Sequence, residues 1–153
     1  MNNGKLHDLL LQPTKTTKVI INFKTTNLPE YDGLYATVLD NVFTKQSCQA
    51  LVDMAESTTG GEWEEAMVNI GNGKQRKMKD ARDCGRIICD DFDMVEIIWA
   101  QIKDQVPEIL RLENQPRVTG YGPVRRNEIW EMSRLNERMR FLKYQEGQYF
   151  KRT

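Results

Sequence analysis

Histidine is nearly missing from this chain, with His7 the single one in 153 residues. Zinc hydrolases, Ser-His-Asp hydrolases and Cys-His proteases are therefore excluded unless His7, in a polar tail, folds back into a site. Cysteine is scarce too. Cys48, Cys84 and Cys89 are odd in number, widely spaced and lack a CxxC pair. Neither a disulfide framework nor a zinc site is expected from them; three free, mostly buried thiols are. Net charge is absent, because 22 Lys and Arg balance 22 Asp and Glu. Nothing pulls the whole chain toward nucleic acid or an anionic membrane. No apolar run approaches the roughly 20 residues of a membrane span. Leu9-Leu10-Leu11 is too short for the apolar region of a signal peptide and has no small-residue cleavage site. The expectation is an intracellular protein, cytoplasmic or nuclear, with no nucleic-acid and no membrane partner.

What is present suits one soluble domain. The length suffices for a real core, and 39% apolar with 29% charged residues is a globular balance at the lean end. Residues 1–31, rich in Asn, Thr and Lys and carrying Pro13 and Pro29, read as a weakly structured arm. Its one strand-like stretch is Lys18–Lys24 (KVIINFK), which either adds to a sheet edge or stays disordered.

The compact part starts near Gly33. Leu34–Val42 has strand propensity. Thr44 is placed to cap a helix, and Cys48, Leu51, Val52 and Ala55 form its apolar stripe. Thr58-Thr59-Gly60-Gly61 ends it. Glu62–Ile70 reads as a strand with Trp63 buried. Gly71-Asn72-Gly73 opens a basic loop, Lys74–Lys79, whose charge nearby acids cancel and which no aromatic interleaves. Cys84–Cys89 (CGRIIC) reads as a strand. Asp93 and Glu96 form a capping box for a second helix with the stripe Val95, Ile98, Trp99 and Ile102, which Pro107 limits. Arg111–Asn127, with two prolines and two glycines, reads as a long loop of the kind that is often functional. Arg138–Tyr144 (RMRFLKY) reads as a strand with Arg138, Arg140, Leu142 and Tyr144 on one face and Met139, Phe141 and Lys143 on the other. A turn at 145–148 leads into a strand at Tyr149-Phe150. This order suits an α+β domain whose helices brace one side of a sheet.

Several residues have plain structural readings. Arg82 and Arg86 flank a strand and are expected to pair with Asp80, Asp83 or Asp90. Asp90, Asp91 and Asp93 suit the positive end of a helix dipole better than a metal. Trp63, Trp99 and Trp130 read as core or rim packing.

The segment Leu135–Phe150 (LNERMRFLKYQEGQYF) resembles the iron(II)/2-oxoglutarate oxygenases of the prolyl 4-hydroxylase type. In that family a strand of the form N-x-R-x-R-F-x-x-Y leads to a G-Q-x-F turn, and His-x-Asp follows. Asn136, Arg138, Arg140, Phe141, Tyr144, Gly147, Gln148 and Phe150 stand at the matching positions. Ala81–Asp91 is similar to the family's Arg-containing strand before a helix, and Leu39–Phe43 to its usual opening. The resemblance spans about 34–153. It implies the N-terminal helical support layer and first strands of a double-stranded β-helix, or jelly roll, left incomplete; residues 32–153 would be that portion of the oxygenase domain. It implies Fe(II), 2-oxoglutarate and ascorbate as the family's cofactors, hydroxylation coupled to oxidative decarboxylation of 2-oxoglutarate, and a protein or peptide substrate.

The resemblance gives Tyr144 the co-substrate tyrosine position, with Arg140 lining the same pocket. It puts the first iron-ligand histidine at position 153, where Thr153 stands, and the carboxylate two positions later. The chain is thus read as truncated before its metal ligands, with no catalytic and no metal-binding residue of its own. No cofactor is expected to bind it tightly. The alternative reading is a non-catalytic protein-binding module derived from the same fold, using its helical layer and Arg111–Asn127. Unpaired strand edges in an incomplete jelly roll further imply low stability or self-association through the exposed sheet.

Overall fold

The computed structural model describes residues 3–151. Thr153, the position read as the first iron-ligand site, lies outside the described residues. Helix makes up 37% of the described residues and strand 24%, which places the protein in the mixed α+β class. The strands divide among small antiparallel sheets, the largest of three strands, and no jelly roll or double-stranded β-helix is identified among the described residues.

The N-terminal segment carries more regular structure than its composition suggests. Helix α1 (Asn3–Leu10) buries Leu6, Leu9 and Leu10, whose i, i+3, i+4 spacing makes one apolar face. Strand β1 (Thr17–Ile20) pairs with β2 (Thr37–Asp40), Thr17 opposite Asp40. The strand-like part of Lys18–Lys24 therefore does join a sheet.

Helix α2 (Lys45–Thr58) starts directly after Thr44. Gly60 and Gly61 end it at φ values of 65° and 88°, and the Gly61 N–H donates to the Glu56 carbonyl at 2.8 Å. That is the left-handed stop that glycine adopts without steric cost. Its buried face differs from the expected stripe. Ser47, Ala50 and Ala55 are buried, while Cys48 is exposed. The Ser47 hydroxyl donates to the Leu9 carbonyl at 2.7 Å, satisfying one of the carbonyls that the last turn of α1 leaves open. A buried, bonded serine thus takes the place that apolar periodicity assigned to a cysteine.

Strands β3 (Glu64–Glu65), β4 (Val68–Asn69), β5 (Gln75–Arg76), β6 (Arg82–Asp83) and β7 (Gly85–Asp90) follow. β4 and β5 form a hairpin that joins the end of the Glu62–Ile70 stretch to the basic loop, and Lys77 and Lys79 both pair with Glu65, at 2.6 and 3.5 Å. Helix α3 (Phe92–Ile102) begins earlier than the capping box at Asp93 and Glu96 implies. Asp91 is the cap, its carboxylate accepting from the Met94 N–H at 2.9 Å. A carboxylate one residue before the first turn reaches the third N–H; one already inside the turn does not. Met94, Val95 and Trp99 are buried on α3, and Ile98 and Ile102 are half-buried.

The stretch read as a long loop is structured. After α4 (Pro107–Leu110) come β8 (Arg111–Glu113), α5 (Pro116–Thr119), α6 (Tyr121–Arg125) and β9 (Ile129–Glu131). β8 pairs with β9, Leu112 opposite Trp130. Pro116 opens α5, where its fixed φ suits a first helical position, and Gly120 at φ 86° separates α5 from α6. Strands β10 (Arg138–Lys143) and β11 (Tyr149–Phe150) close the order.

The elements form two compact units, each built from separated stretches. One comprises residues 3–9, 45–95 and 136–151 among those described; the other comprises 10–44 and 96–135. In the first unit β10, β7 and β3 form the three-stranded sheet, and α2 packs on β7.

Candidate functional site

The β10–β7 register sorts the side chains. Met139 stands opposite Cys89, Arg140 opposite Ile88, Phe141 opposite Ile87 and Leu142 opposite Arg86. Residues opposite each other share a face. Ile87 is buried, with Phe141, Met139 and Cys89 half-buried; this is the core side. Arg138, Arg140 and Leu142 are exposed on the other side, and Tyr144, just past the strand, keeps 44% of its surface open. The expected division of β10 into two faces is present, apart from Lys143, which is exposed although it falls on the core side by alternation.

The arginines take partners that differ from those expected. Arg86 is buried and bonds Glu64 Oε1 at 2.8 Å and Gln75 Oε1 at 2.9 Å. Arg138, not Arg82 or Arg86, holds Asp90, through Nε at 2.9 Å and Nη2 at 2.8 Å. Arg82 pairs with no acid among the described residues. Its guanidinium lies over the Phe150 ring at 4.8 Å, and its Nε donates to the Cys84 sulfur at 3.3 Å. The pairing of β11 with β6, Phe150 opposite Arg82, puts the ring there. Burial works against the charge of Arg82, but the Cys84 sulfur and the Tyr144 phenol beside it outweigh burial and raise its pKa. Sequence reasoning assigned Arg82 an aspartate; the signal for its real neighbour was the aromatic pair that begins β11.

The Tyr144 phenol lies near enough to the Arg82 guanidinium to favour its charge; phenol and guanidinium are both group types that can donate to a carboxylate. Arg140 is further along the same open face and makes no hydrogen bond or ion pair among the described residues. Neither Arg140 nor Tyr144 lines the cavity of about 280 Å³ in this unit, whose walls include Trp63, Glu65, Cys84, Lys143 and Gln148. There Trp63 is fixed by its indole N–H, which donates to Glu56 at 2.8 Å, and by Lys143 over its ring at 5.1 Å.

Iron does not fit the residues described. No group of three or more His, Cys, Asp or Glu among them could hold a metal ion. His7 is half-exposed on α1, 3.8 Å from Asp8. Asp91 caps α3 and Asp90 is paired, so the acidic run before α3 is used for structure. No helix of the described residues is long and apolar enough to cross a membrane. No family model, curated protein or solved structure matches this chain.

Proposed function

We propose that this chain is the N-terminal portion of a prolyl 4-hydroxylase-like iron(II)/2-oxoglutarate dioxygenase, with the open face of β10 as part of the co-substrate pocket. The jelly-roll reading belongs to the same proposal: β10, β7 and β3 would be early strands of that fold. What supports it is the resemblance of Leu135–Phe150 to the family's co-substrate strand, with Arg140 exposed on the open face of β10 and Tyr144 exposed just past its end. The phenol would donate to one carboxylate of 2-oxoglutarate, the Arg82 guanidinium would supply charge, and Arg140 would line the same pocket. No step is assigned through iron, since the described residues do not fit it.

An NMR titration of the full chain with 2-oxoglutarate tests this. The expected result is weak binding, with a dissociation constant of about 1 mM or above. Amide shifts should centre on Arg82 and Tyr144, and Tyr144→Phe should remove them. A flat titration would sink the assignment of Tyr144. Reading the transcript beyond the Thr153 codon tests the family itself: a continuing frame with His-x-Asp supports it, and an authentic stop without such a frame counts against it.

One observation favours a second reading, a non-catalytic protein-binding module. The folded 111–131 segment exposes the large apolar side chains Val118, Tyr121, Ile129 and Trp130, and apolar side chains left open in this way supply anchors for a partner. Replacing Tyr121 and Trp130 by serine should abolish partner capture if this reading holds; unchanged partners would remove it.

A further inference from the structure

The second compact unit contains a cavity of about 490 Å³, within the range of small-molecule sites. Leu34, Ile109 and Leu112 supply apolar wall, and Tyr35, Glu108 and Arg117 supply polar groups. Three features define the ligand these walls would accept.

The first is charge. Glu108 is already neutralised, since the Lys18 ammonium lies 2.6 and 2.8 Å from its two oxygens. That hydrogen bond holds Lys18 above and Glu108 below the usual pKa, so both stay charged and matched near neutral pH. Arg117 is engaged differently. Its guanidinium donates to the backbone carbonyls of Asp32 and Glu30, neutral acceptors that position it, and it forms no ion pair with a carboxylate among the described residues. The Asp32 carboxylate is turned to Lys24, at 3.6 Å. The cavity wall therefore carries one unbalanced positive charge.

The second feature is an orphaned hydroxyl. Tyr35 Oη is buried and makes no hydrogen bond of ordinary geometry; the Lys18–Glu108 pair is close enough to bond it weakly, but those two groups already satisfy each other. Buried polar groups are almost always well bonded, so this hydroxyl has capacity left for a ligand atom. The third feature is the apolar wall, which would reject a fully hydrated inorganic ion.

We infer that this cavity binds a small organic monoanion, a carboxylate on an aryl or short alkyl body. Leu34, Ile109 and Leu112 take the body, Arg117 meets the charge, and a polar atom of the ligand bonds the Tyr35 hydroxyl. The inference is independent of the oxygenase reading, because it uses neither β10 nor a metal.

Phenylacetate is the probe, with phenylacetamide as its neutral counterpart, each titrated by NMR into the full chain. Saturable shifts at the amides of Leu34, Tyr35, Ile109 and Leu112 are expected with phenylacetate, and binding of the amide at least about tenfold weaker. Tyr35→Phe keeps the ring and its volume, so its spectrum should remain native while affinity falls by about tenfold, the effect of one hydrogen bond to a charged group. Arg117→Gln should erase the preference for the anion; if it perturbs the 30–32 backbone, Arg117→Lys retains the charge and should retain the preference. Absence of saturation at about 20 mM, equal binding of acid and amide, or unchanged affinity in native Tyr35→Phe would each overturn the inference.

Discussion

Arg138 and Asp90 face each other across β10 and β7, joined by two parallel N–H···O bonds of 2.9 and 2.8 Å. The bidentate geometry fixes one end of the strand pair. That matters because a one-residue slip would turn Phe141 and Met139 outward and Arg140 inward.

The hydrogen bond and charge of Arg138 hold Asp90 below its ordinary value of 3.8. A depressed carboxylate pKa contributes stability that is present above the unfolded-state value and is lost as pH falls through the folded-state value. Hydrogen-exchange protection at the Arg138 end of β10 should therefore drop below about pH 4. Asp90→Asn should show reduced protection at pH 7 and no further step in that window. Both side chains are about half exposed, so 1 M salt should shrink the effect. Salt-independent protection would contradict this account.

Arg86 is a different kind of pair. Its side chain is 7% exposed while that of Glu64 is 52% exposed. Truncating the exposed partner should therefore hurt more than its own burial suggests. Glu64→Ala leaves a buried guanidinium with Gln75 as its remaining partner and should destabilise by about 1–3 kcal/mol. Urea unfolding measures it, and a loss below about 0.5 kcal/mol would mean that water replaces the carboxylate.

Gly85 is required by packing. A Cβ there would come 3.1 Å from the Trp63 Cβ, and Trp63 is tethered by Glu56 and Lys143. Gly85→Ala should cost about 1–3 kcal/mol and shift the tryptophan emission. Tolerance of alanine with unchanged emission would show that β3 yields freely.

The three thiols should separate in a labelling experiment. Cys48 is exposed, Cys89 half-buried and Cys84 buried. Burial, and then the charges of Asp91 and Asp90, push the Cys89 thiol up, so less of it is thiolate at neutral pH. An aromatic disulfide reagent should modify Cys48 first, Cys89 more slowly and Cys84 only on unfolding. A single fast phase for all three would refute that order.

The β1–β2 pair should mediate self-association. Val19 and Val38 stand opposite each other, and both are exposed. Two-stranded sheets with open apolar faces and edges pair readily with other chains. Sedimentation velocity should show concentration-dependent mass that Val19→Lys abolishes. A monomer at all concentrations would exclude this surface.

Local patterns were legible where a repeat was strong and uninterrupted. The two central helices, the faces of β10 and the helix stop at Gly60-Gly61 were all readable from spacing and turn chemistry. Residues 111–131 were not, because two prolines and two glycines look the same whether they punctuate a loop or separate short helices inside a strand pair. The candidate site was half legible. Tyr144 and Arg140 could be placed on one face of a strand by alternation. Arg82 could not be placed beside Phe150, because the register of β11 on β6 joins positions more than sixty residues apart in the chain.

The sequence by itself determined the α+β class, the buried stripe of α3 and the face of β10 on which Arg140 stands, because each depends on spacing within one element. Only the tertiary structure decided that Ser47 rather than Cys48 turns inward, that Asp91 rather than Asp93 caps α3, and that Arg82 meets Phe150 and Cys84 instead of an aspartate. The cause is the same in each case. A hydrogen bond or ring contact from a neighbouring turn or strand selects among side chains that helical or strand periodicity leaves nearly equivalent.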